Sequence, residues 1–469
     1  MNEIDAEFAD APVPDMRLKR RLSRMARQVV SEPAASFPQI ARSDGELEAI
    51  YRFLNNPRVT LTQIVAPHLE ATFKRAYAAK RVIVAHDSTQ FSFSKDLGDE
   101  LGYLPTSHQQ GFCGHFALVM NEAGQALGIG GIRPYFFEQH RRGVRKGTWR
   151  DRDYYGEPET AYSRWGELVD EVHGRMWPGV EAVHVMDREG DSYRLVGKMV
   201  QDGDRFVVRI KRVNNRPAVA SLDDNEEWET LEEVLAETTY VCQREVELTK
   251  RKPRALANGH PARRGRTATL ALSTTTLVLR RPRNDRLRNQ ALPLTIQVNL
   301  VRVHEPKPPT GEPSVEWLLA TTESVTTQAD VERVVDIYRH RWHIEEYFKA
   351  LKTGCAYEER QLETREGLLK TLGLLIPIAW QLLVTRDLSR TAPDLPATTA
   401  LSTVQLRILR QMTRRKLSKK PTLAEAAMAI AAEGGHLIRN GPPGWQTLGR
   451  GLEKLWWTEY GYMLGQKRR

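Results

Sequence analysis

The sequence predicts an α/β protein: a mixed β-sheet flanked by helices, with an inserted β-rich segment and helical segments at both ends. Apolar, β-branched runs at 81–87 and 182–187 have the composition of short buried strands. Apolar residues recur at helical spacing over 16–30 and 331–353. Between these elements, about 214–320 carries one strand pattern after another. Strands followed by a helix and more strands indicate a mixed sheet rather than a helical bundle.

The length and charge of the chain narrow the class of function. With 469 residues the chain is too long for one compact domain. Its formal net charge of +10 and pI of about 9.4 favour a polyanionic partner, most often nucleic acid. A hydrophobic content of 41% indicates a globular core rather than disorder.

Targeting and redox signals predict a soluble cytoplasmic setting. The first fourteen residues are acidic and show no signal-peptide pattern. The three cysteines form no CxxC pair, which argues against a zinc site and fits a reducing compartment. The most apolar run, 371–384, is too short to span a bilayer and contains Pro377, so we expect a buried core helix and no membrane partner.

The predicted organisation has three parts. Residues 1–62 form short helices, 63–388 form the mixed-sheet region, and 389–469 form a second helical region. Basic side chains surround the 16–30 helix, which is equally compatible with a solvated surface and with phosphate contacts. Two basic linkers in the β-rich insertion, 250–266 and 280–290, are either ordinary exposed turns or DNA contacts.

One helix places a glutamate within a basic stripe. At 100° per residue, one arc of about 80° beside the apolar face carries five polar side chains. They are Tyr338, Arg341, Glu345, Lys349 and Lys352. Glu346 lies nearly opposite the apolar face and is expected to face water. The ordinary interpretation is a surface helix with a Glu345–Lys349 pair; the functional one is a carboxylate that binds a cation beside groups that bind phosphate.

Two aspartates are the candidate partners of that glutamate. Asp87 and Asp187 each end an apolar strand pattern, and neighbouring strand ends would bring them together. Single strand-end aspartates are usually loop residues or caps. Joined by Glu345, however, they form an oxygen-only set that suits Mg²⁺ or Mn²⁺. Two such ions are the usual arrangement for in-line phosphoryl transfer.

The sequence resembles the bacterial cut-and-paste DDE transposases of the IS-four group. Tyr338, Arg341, Glu345 and Lys352 fit that family's Tyr, Arg, Glu, Lys spacing without a gap. HDST and MDREGD supply the two aspartates, and WLLATTE precedes the helix as in the family. The resemblance implies an RNase H-like catalytic core with an inserted β subdomain. It also implies an N-terminal domain that binds transposon ends and a C-terminal domain that dimerises.

The resemblance also assigns roles to individual residues. It implies that Asp87, Asp187 and Glu345 bind the metal ions and that Trp317 receives a flipped base during hairpin formation. Further DNA contacts are implied for Tyr338, Arg341, Lys352, Arg209, Arg52 and, more loosely, Arg21; the helix stripe adds Lys349. Cleavage through a DNA hairpin and joining of the 3′ ends to target DNA would follow. Two alternatives stay open: a catalytically silent DNA-binding derivative, and a tyrosine recombinase that uses Tyr338 as nucleophile.

Overall fold

The computed structural model describes most of the chain. The described residues are 3–104, 109–137, 161–211, 217–220, 228–248, 264–281, 292–312, 314–437 and 443–466, together with Ser107 and Arg439. The greater part of both predicted basic linkers lies outside these residues.

Four short helices open the chain: α1 (Glu3–Ala6), α2 (Met16–Ser31), α3 (Phe37–Ile40) and α4 (Asp44–Leu54). Asp15 caps the start of α2, because its carboxylate accepts a hydrogen bond from the Leu18 backbone at 2.9 Å. Ser43 caps α4 by accepting from the Glu46 backbone at 3.3 Å. The Glu46 carboxylate accepts from the Arg42 backbone at 2.9 Å, which satisfies one more backbone donor before the helix.

Eleven strands are described: β1 (Arg81–Ser92), β2 (Gly111–Asn121), β3 (Ala126–Tyr135), β4 (Glu181–Met186), β5 (Arg205–Arg209), β6 (Pro217–Ala220), β7 (Trp228–Thr230), β8 (Thr239–Leu248), β9 (Arg266–Arg280), β10 (Thr295–His304) and β11 (Glu316–Thr321). Nine form one sheet in the order β3-β2-β1-β4-β5-β11-β10-β9-β8, while β6 and β7 pair separately. Strands β1, β4 and β5 run parallel, and the other pairings are antiparallel.

The β-rich insertion differs in one respect from the sequence prediction. Its strands β8 to β11 do not form a separate β layer, because β11 pairs with β5 and extends the central sheet. A sheet edge left by β5 is therefore covered, which removes an exposed row of backbone donors and acceptors.

Helices cover this sheet and connect its strands. They are α5 (Leu61–Ala79), α6 (Ala161–Arg175), α7 (Tyr193–Asp202), α8 (Leu231–Ala236), α9 (Gln328–His340), α10 (Trp342–Lys349) and α11 (Arg365–Thr391). The single helix predicted over 331–353 is divided, because α9 ends before Arg341 and α10 passes into a π-helical turn, Ala350–Gly354. Such turns are frequent at functional sites.

The apolar helix α11 is a core helix, as predicted. It continues through Pro377 and is longer than the sequence prediction. By length and composition its Arg365–Arg390 stretch could cross a membrane, yet 83% of the apolar window is buried inside the protein. The sheet and the neighbouring helices thus account for its apolar surface.

The chain ends in α12 (Thr403–Met412), α13 (Leu423–Glu433) and α14 (Trp445–Gln466). Buried side chains from both ends of the chain and from the sheet belong to one contiguous apolar cluster, from Leu22 through Val84 and Leu372 to Leu448. Packing is therefore continuous across the predicted boundaries near residues 62 and 388. The three-part division itself stays a prediction.

Candidate active site

The parallel pairing of β1 with β4 places the two aspartates side by side. Ala85 is in register with Val185, so Asp87 and Asp187 follow two residues later at the same level and on the same face. Asp187 comes directly after β4, as predicted. Asp87 does not end its strand, because β1 continues to Ser92 through antiparallel pairing with β2.

A guanidinium links the first aspartate to the glutamate. Arg341 Nη1 donates to Asp87 Oδ2 at 2.9 Å, and Arg341 Nη2 donates to Glu345 Oε1 at 2.7 Å. The exposed fractions are 11% for Arg341 and 14% for Asp87, so most of this bridge is shielded from solvent. The bridge replaces the Glu345–Lys349 pair of the surface-helix interpretation.

The negative charges in this site interact across the three elements. The pKa of Asp87 is raised to about 7, mainly by burial. The Arg341 guanidinium opposes this rise in the pKa, whereas the charges of Asp187 and Glu345 add to it. The same three carboxylates, with Tyr338, hold the pKa of Arg341 above its ordinary value despite the opposing effect of burial. The three acids thus share one electrostatic environment.

An aromatic and cationic group adjoins the acids. The rings of Trp317 and Tyr338 lie 5.4 Å apart, and Tyr338 hydrogen-bonds Arg209. Arg209 Nη2 also donates to the Glu316 carbonyl at 2.9 Å. Burial lowers the pKa of Arg209, and the charge of Arg341 contributes to that shift. The structure therefore brings three sequence-predicted residues, Trp317, Tyr338 and Arg209, next to Arg341.

The two lysines of the predicted stripe separate. Lys352 lies in the π-helical turn and donates to the Gln90 carbonyl of β1, with Glu358 Oε1 at 3.7 Å. Burial lowers its pKa. Lys349 is 49% exposed and pairs with Glu346 at 2.6 Å, so it points away from Glu345. The helical-wheel grouping of Lys349 with Glu345 is therefore not seen.

Glu346 was expected to face water, and this expectation is wrong. Its side chain is 15% exposed and pairs with Arg386 of α11. Its Oε2 also accepts from Trp445 Nε1 of α14 at 3.1 Å. Burial acts to raise its pKa, but Lys349 and Arg386 outweigh burial and lower the pKa to about 2. Glu346 is a junction between α10, α11 and the C-terminal helix.

A histidine cluster on the opposite face of the sheet was missed by the sequence reasoning. His86 Nε2 lies 2.8 Å from His184 Nδ1, and His115 Nδ1 lies 2.9 Å from Ser88 Oγ. All three rings are fully or almost fully buried, and burial lowers the pKa of both His115 and His184 to about 3. Neutral histidines thus support the strand segment that carries Asp87. The alternation of His86 and Asp87 along β1 was the signal available.

The remaining predicted DNA contacts belong to the N-terminal helices. Arg52 lies on α4, is 71% exposed and has Glu48 at 3.7 Å. Arg21 lies on α2, and its Nη1 is buried with no hydrogen-bond partner among the described residues. Their roles stay predictions.

The donor set suits a divalent cation in its chemistry. Carboxylate oxygens are what Mg²⁺ and Mn²⁺ prefer, and burial, with the charges of Asp187 and Glu345, raises the pKa of Asp87 although Arg341 opposes the rise. In the part of the chain that the structure describes, no three Asp, Glu, His or Cys side chains are gathered closely enough to form a finished metal site. Arg341 stands between two of the three candidate ligands.

An acidic group on a mixed sheet, bordered by arginine, tyrosine and lysine, is a site suited to phosphate chemistry. Residues 2–59 match the family described as Transposase DNA-binding, and residues 164–380 match the Transposase DDE domain. Together the two matches support a DDE transposase with a DNA-binding segment of its own. Asp187 and Glu345 fall inside the second match, whereas Asp87 lies between the two matched ranges.

Among solved structures, a likeness extends to the piggyBac transposase in a synaptic complex with hairpin DNA. The TM-score is 0.38 at 9% identity, over 97% of this chain and 73% of that chain. This similarity is too distant to support conclusions about the present chain.

Proposed function

We propose that the protein is a cut-and-paste DNA transposase of the IS-four kind. In this proposal it binds transposon ends, cleaves them through a hairpin intermediate and joins the 3′ ends to target DNA. The proposed substrate places the protein in the compartment that holds chromosomal DNA, which agrees with the expected cytoplasmic setting.

One observation carries the proposal: Arg341 contacts both Asp87 and Glu345, and strand pairing places Asp187 beside Asp87. The three acids are far apart in the sequence, and two of them lie within the matched DDE range. The sheet order β3-β2-β1-β4-β5, with β1, β4 and β5 parallel, supports an RNase H-like core.

Each residue has a role that follows from its position. Asp87, Asp187 and Glu345 would hold one or two Mg²⁺ or Mn²⁺ ions, which when bound supply charge stabilisation for phosphoryl transfer. Arg341 holds two of these carboxylates and presents a buried positive charge to an incoming phosphate. Tyr338 and Arg209 would contact the backbone beside the scissile bond, and Lys352, which donates to the Gln90 carbonyl of β1, would contact a phosphate farther along that strand.

The chemistry is a series of in-line displacements at phosphorus. Water attacks the phosphodiester at the element end, and the 3′-hydroxyl leaves with the proton that balances it. That 3′-hydroxyl then attacks a phosphodiester of the opposite strand and displaces the 3′-hydroxyl of the flanking DNA, which forms the hairpin. Water opens the hairpin and frees the 3′-hydroxyl of the element, which attacks target DNA and displaces a 3′-hydroxyl of the target strand. Trp317 is half-buried against Tyr338 and offers a ring for an extruded base.

The DNA-binding and assembly roles complete the proposal. Arg21 and Arg52 lie within the segment that matches the DNA-binding family and would contact the terminal repeats. Lys349 is exposed and would reach the DNA backbone at a distance from the acids. A homodimer would bring two ends together, with residues 389–469 as the proposed dimerisation region.

The test is cleavage of DNA carrying the inverted repeats that flank the coding region, with and without Mg²⁺. Asp187→Ala should abolish cleavage and leave gel-shift binding of the ends intact. Glu363→Ala is the matched control, because it removes an 84% exposed carboxylate paired with Lys95 at 3.1 Å. Full cleavage by the Asp187 variant would reject the assignment.

The same assay separates the alternatives. A catalytically silent derivative would bind the ends without Mg²⁺-dependent cleavage in the wild-type chain. A tyrosine recombinase would leave a covalent protein–DNA adduct and would tolerate EDTA. Tyr338 is 6% exposed and packed against Trp317, which argues against a free nucleophile at this position.

A further inference from the structure

The C-terminal helices border a groove that the proposed catalytic residues do not use. It has a volume of 1260 Å³ and lies between the end of α12, the end of α13 and one face of α14. Five of its lining residues are cationic: Arg414, Arg415, Arg439, Arg450 and Lys454. Glu433 is the one acidic residue that lines it within the described chain.

The charge of the whole chain is concentrated in this region. Residues 389–469 hold fourteen Lys and Arg against five Asp and Glu, a formal +9 of the chain's +10. Within the described residues, none of Arg414, Arg415 and Arg450 has a recorded ion-pair partner. Exposed cations without carboxylate partners keep their full attraction for a polyanion.

Helices α13 and α14 pack closely together beside the groove. A side chain at Gly434 would meet the Thr447 carbonyl at 1.8 Å, and one at Gly451 would meet the Ile430 carbonyl at 1.7 Å. Helices α13 and α14 therefore touch backbone to backbone at two glycines. This contact sets the spacing between the cations on α14 and Arg439, which follows α13.

One face of α14 supplies the groove wall. Arg450, Lys454 and Trp457 stand at i, i+4 and i+7, so they share a face of the helix. Lys454 Nζ donates to the Glu433 carbonyl at the end of α13 at 2.6 Å, and Trp457 is 42% exposed. Trp445 lies about 8 Å from Arg450 along the axis of α14, toward the start of that helix. Its Nε1 donates to Glu346, the residue that follows the proposed catalytic Glu345.

We propose that this groove binds the phosphodiester backbone of duplex DNA, as a second DNA surface apart from the N-terminal helices and the acidic site. The inference rests on the proposed function for the identity of the polyanion. Cations on three separate elements match a row of phosphates, and because they make no base-specific pattern the contact is independent of sequence.

The test measures binding of a labelled random-sequence duplex of roughly 30 base pairs by fluorescence anisotropy, between about 50 and 200 mM salt. The proteins carry Asp187→Asn, so that binding is measured in the absence of cleavage. The groove variant is Arg450→Gln with Lys454→Gln. The control, Lys74→Gln with Lys307→Gln, removes the same charge from exposed positions elsewhere.

The groove variant should bind the duplex roughly tenfold more weakly than the control does. The slope of the logarithm of its binding constant against the logarithm of salt concentration should be shallower by about 2. Equal affinity and equal slope in the two variants would overturn the proposal. A groove variant that binds the single strand of the same sequence more weakly, but binds the duplex as the control does, would also overturn it. If the first variant does not fold, Arg414→Gln with Arg415→Gln has the same expected results. Failure of wild-type cleavage with groove binding retained would reject the proposed function and leave the groove assignment in place.

Discussion

At the scale of single residues, the site depends on Arg341. A buried carboxylate beside two others is costly in free energy unless a cation or a proton accompanies it. Arg341 supplies one positive charge to Asp87 and Glu345, yet the pKa of Asp87 remains raised to about 7. Without a further cation, Asp87 therefore keeps a proton near neutral pH. The burial of Asp87 beside two further carboxylates is the physical reason for expecting an ion at this site.

The raised pKa of Asp87 predicts a pH-dependent stability difference. Its folded-state pKa of about 7 lies above the ordinary value of 3.8, so protonation of Asp87 stabilises the fold fully at pH values below the ordinary one. This stabilisation is lost as pH rises through about 7. In EDTA, Asp87→Asn should therefore become more stable relative to wild type between pH 5 and pH 8, by at most about 3 kcal/mol. A difference in urea unfolding free energy that is flat with pH would contradict this.

Sequence patterns located the acids but not their contacts. The apolar runs before Asp87 and Asp187 predicted two strands, and the parallel pairing of β1 with β4 brings the two aspartates to the same level. The Arg341–Asp87 contact was not predictable, since it joins residues 254 positions apart. Period-two alternation along β1 predicts that His86 lies on the face opposite Asp87, but the sequence does not show that His115 and His184 lie beside it.

At the scale of secondary-structure elements, helix α10 is held on two sides. A helical wheel treats one face as buried and the opposite face as solvated. Here α10 packs on the sheet through Phe348, whose ring lies 5.4 Å from Phe116, and on α11 and α14 through Glu346. The wheel therefore identified Glu345 and misplaced Glu346. The π-helical turn after Lys349 likewise shifts Lys352 from its ideal helical angle toward β1.

Loss of the Glu346 charge should destabilise the fold. Glu346→Gln would leave Arg386, which is 9% exposed, without its ion-pair partner. Breaking a buried pair in this way costs about 3–5 kcal/mol, and some exposure of Glu346 places the expected loss near the lower end. Glu48→Gln is the matched control, because its partner Arg52 is 71% exposed and such pairs contribute about 0–1 kcal/mol. Equal losses of unfolding free energy in the two variants would exclude a junction role for Glu346.

At the scale of the whole molecule, one sheet and one apolar cluster join the three regions predicted from the sequence, 1–62, 63–388 and 389–469. The β-rich insertion was predicted strand by strand, but its pairing with β5 depends on an edge that composition does not reveal. Continuous packing connects the N-terminal helices and the C-terminal helices to this sheet. Positive charge is distributed unevenly, with acids on the central sheet and nearly all net charge in the last 81 residues. That separation is compatible with the proposed binding of polyanionic DNA and with the proposed acidic site for cations.

The central claim is that Asp87, Asp187 and Glu345 together form one cation site. Mn²⁺ titration of the intact protein, followed by electron paramagnetic resonance of the free ion, tests it without relying on cleavage. Asp87→Asn, Asp187→Asn and Glu345→Gln should each weaken Mn²⁺ binding by roughly tenfold or more, because each removes a ligand oxygen from a shared site. Glu363→Gln, at an exposed position, should bind as wild type does. Mn²⁺ affinity that is the same in wild type and all three site variants would contradict the account.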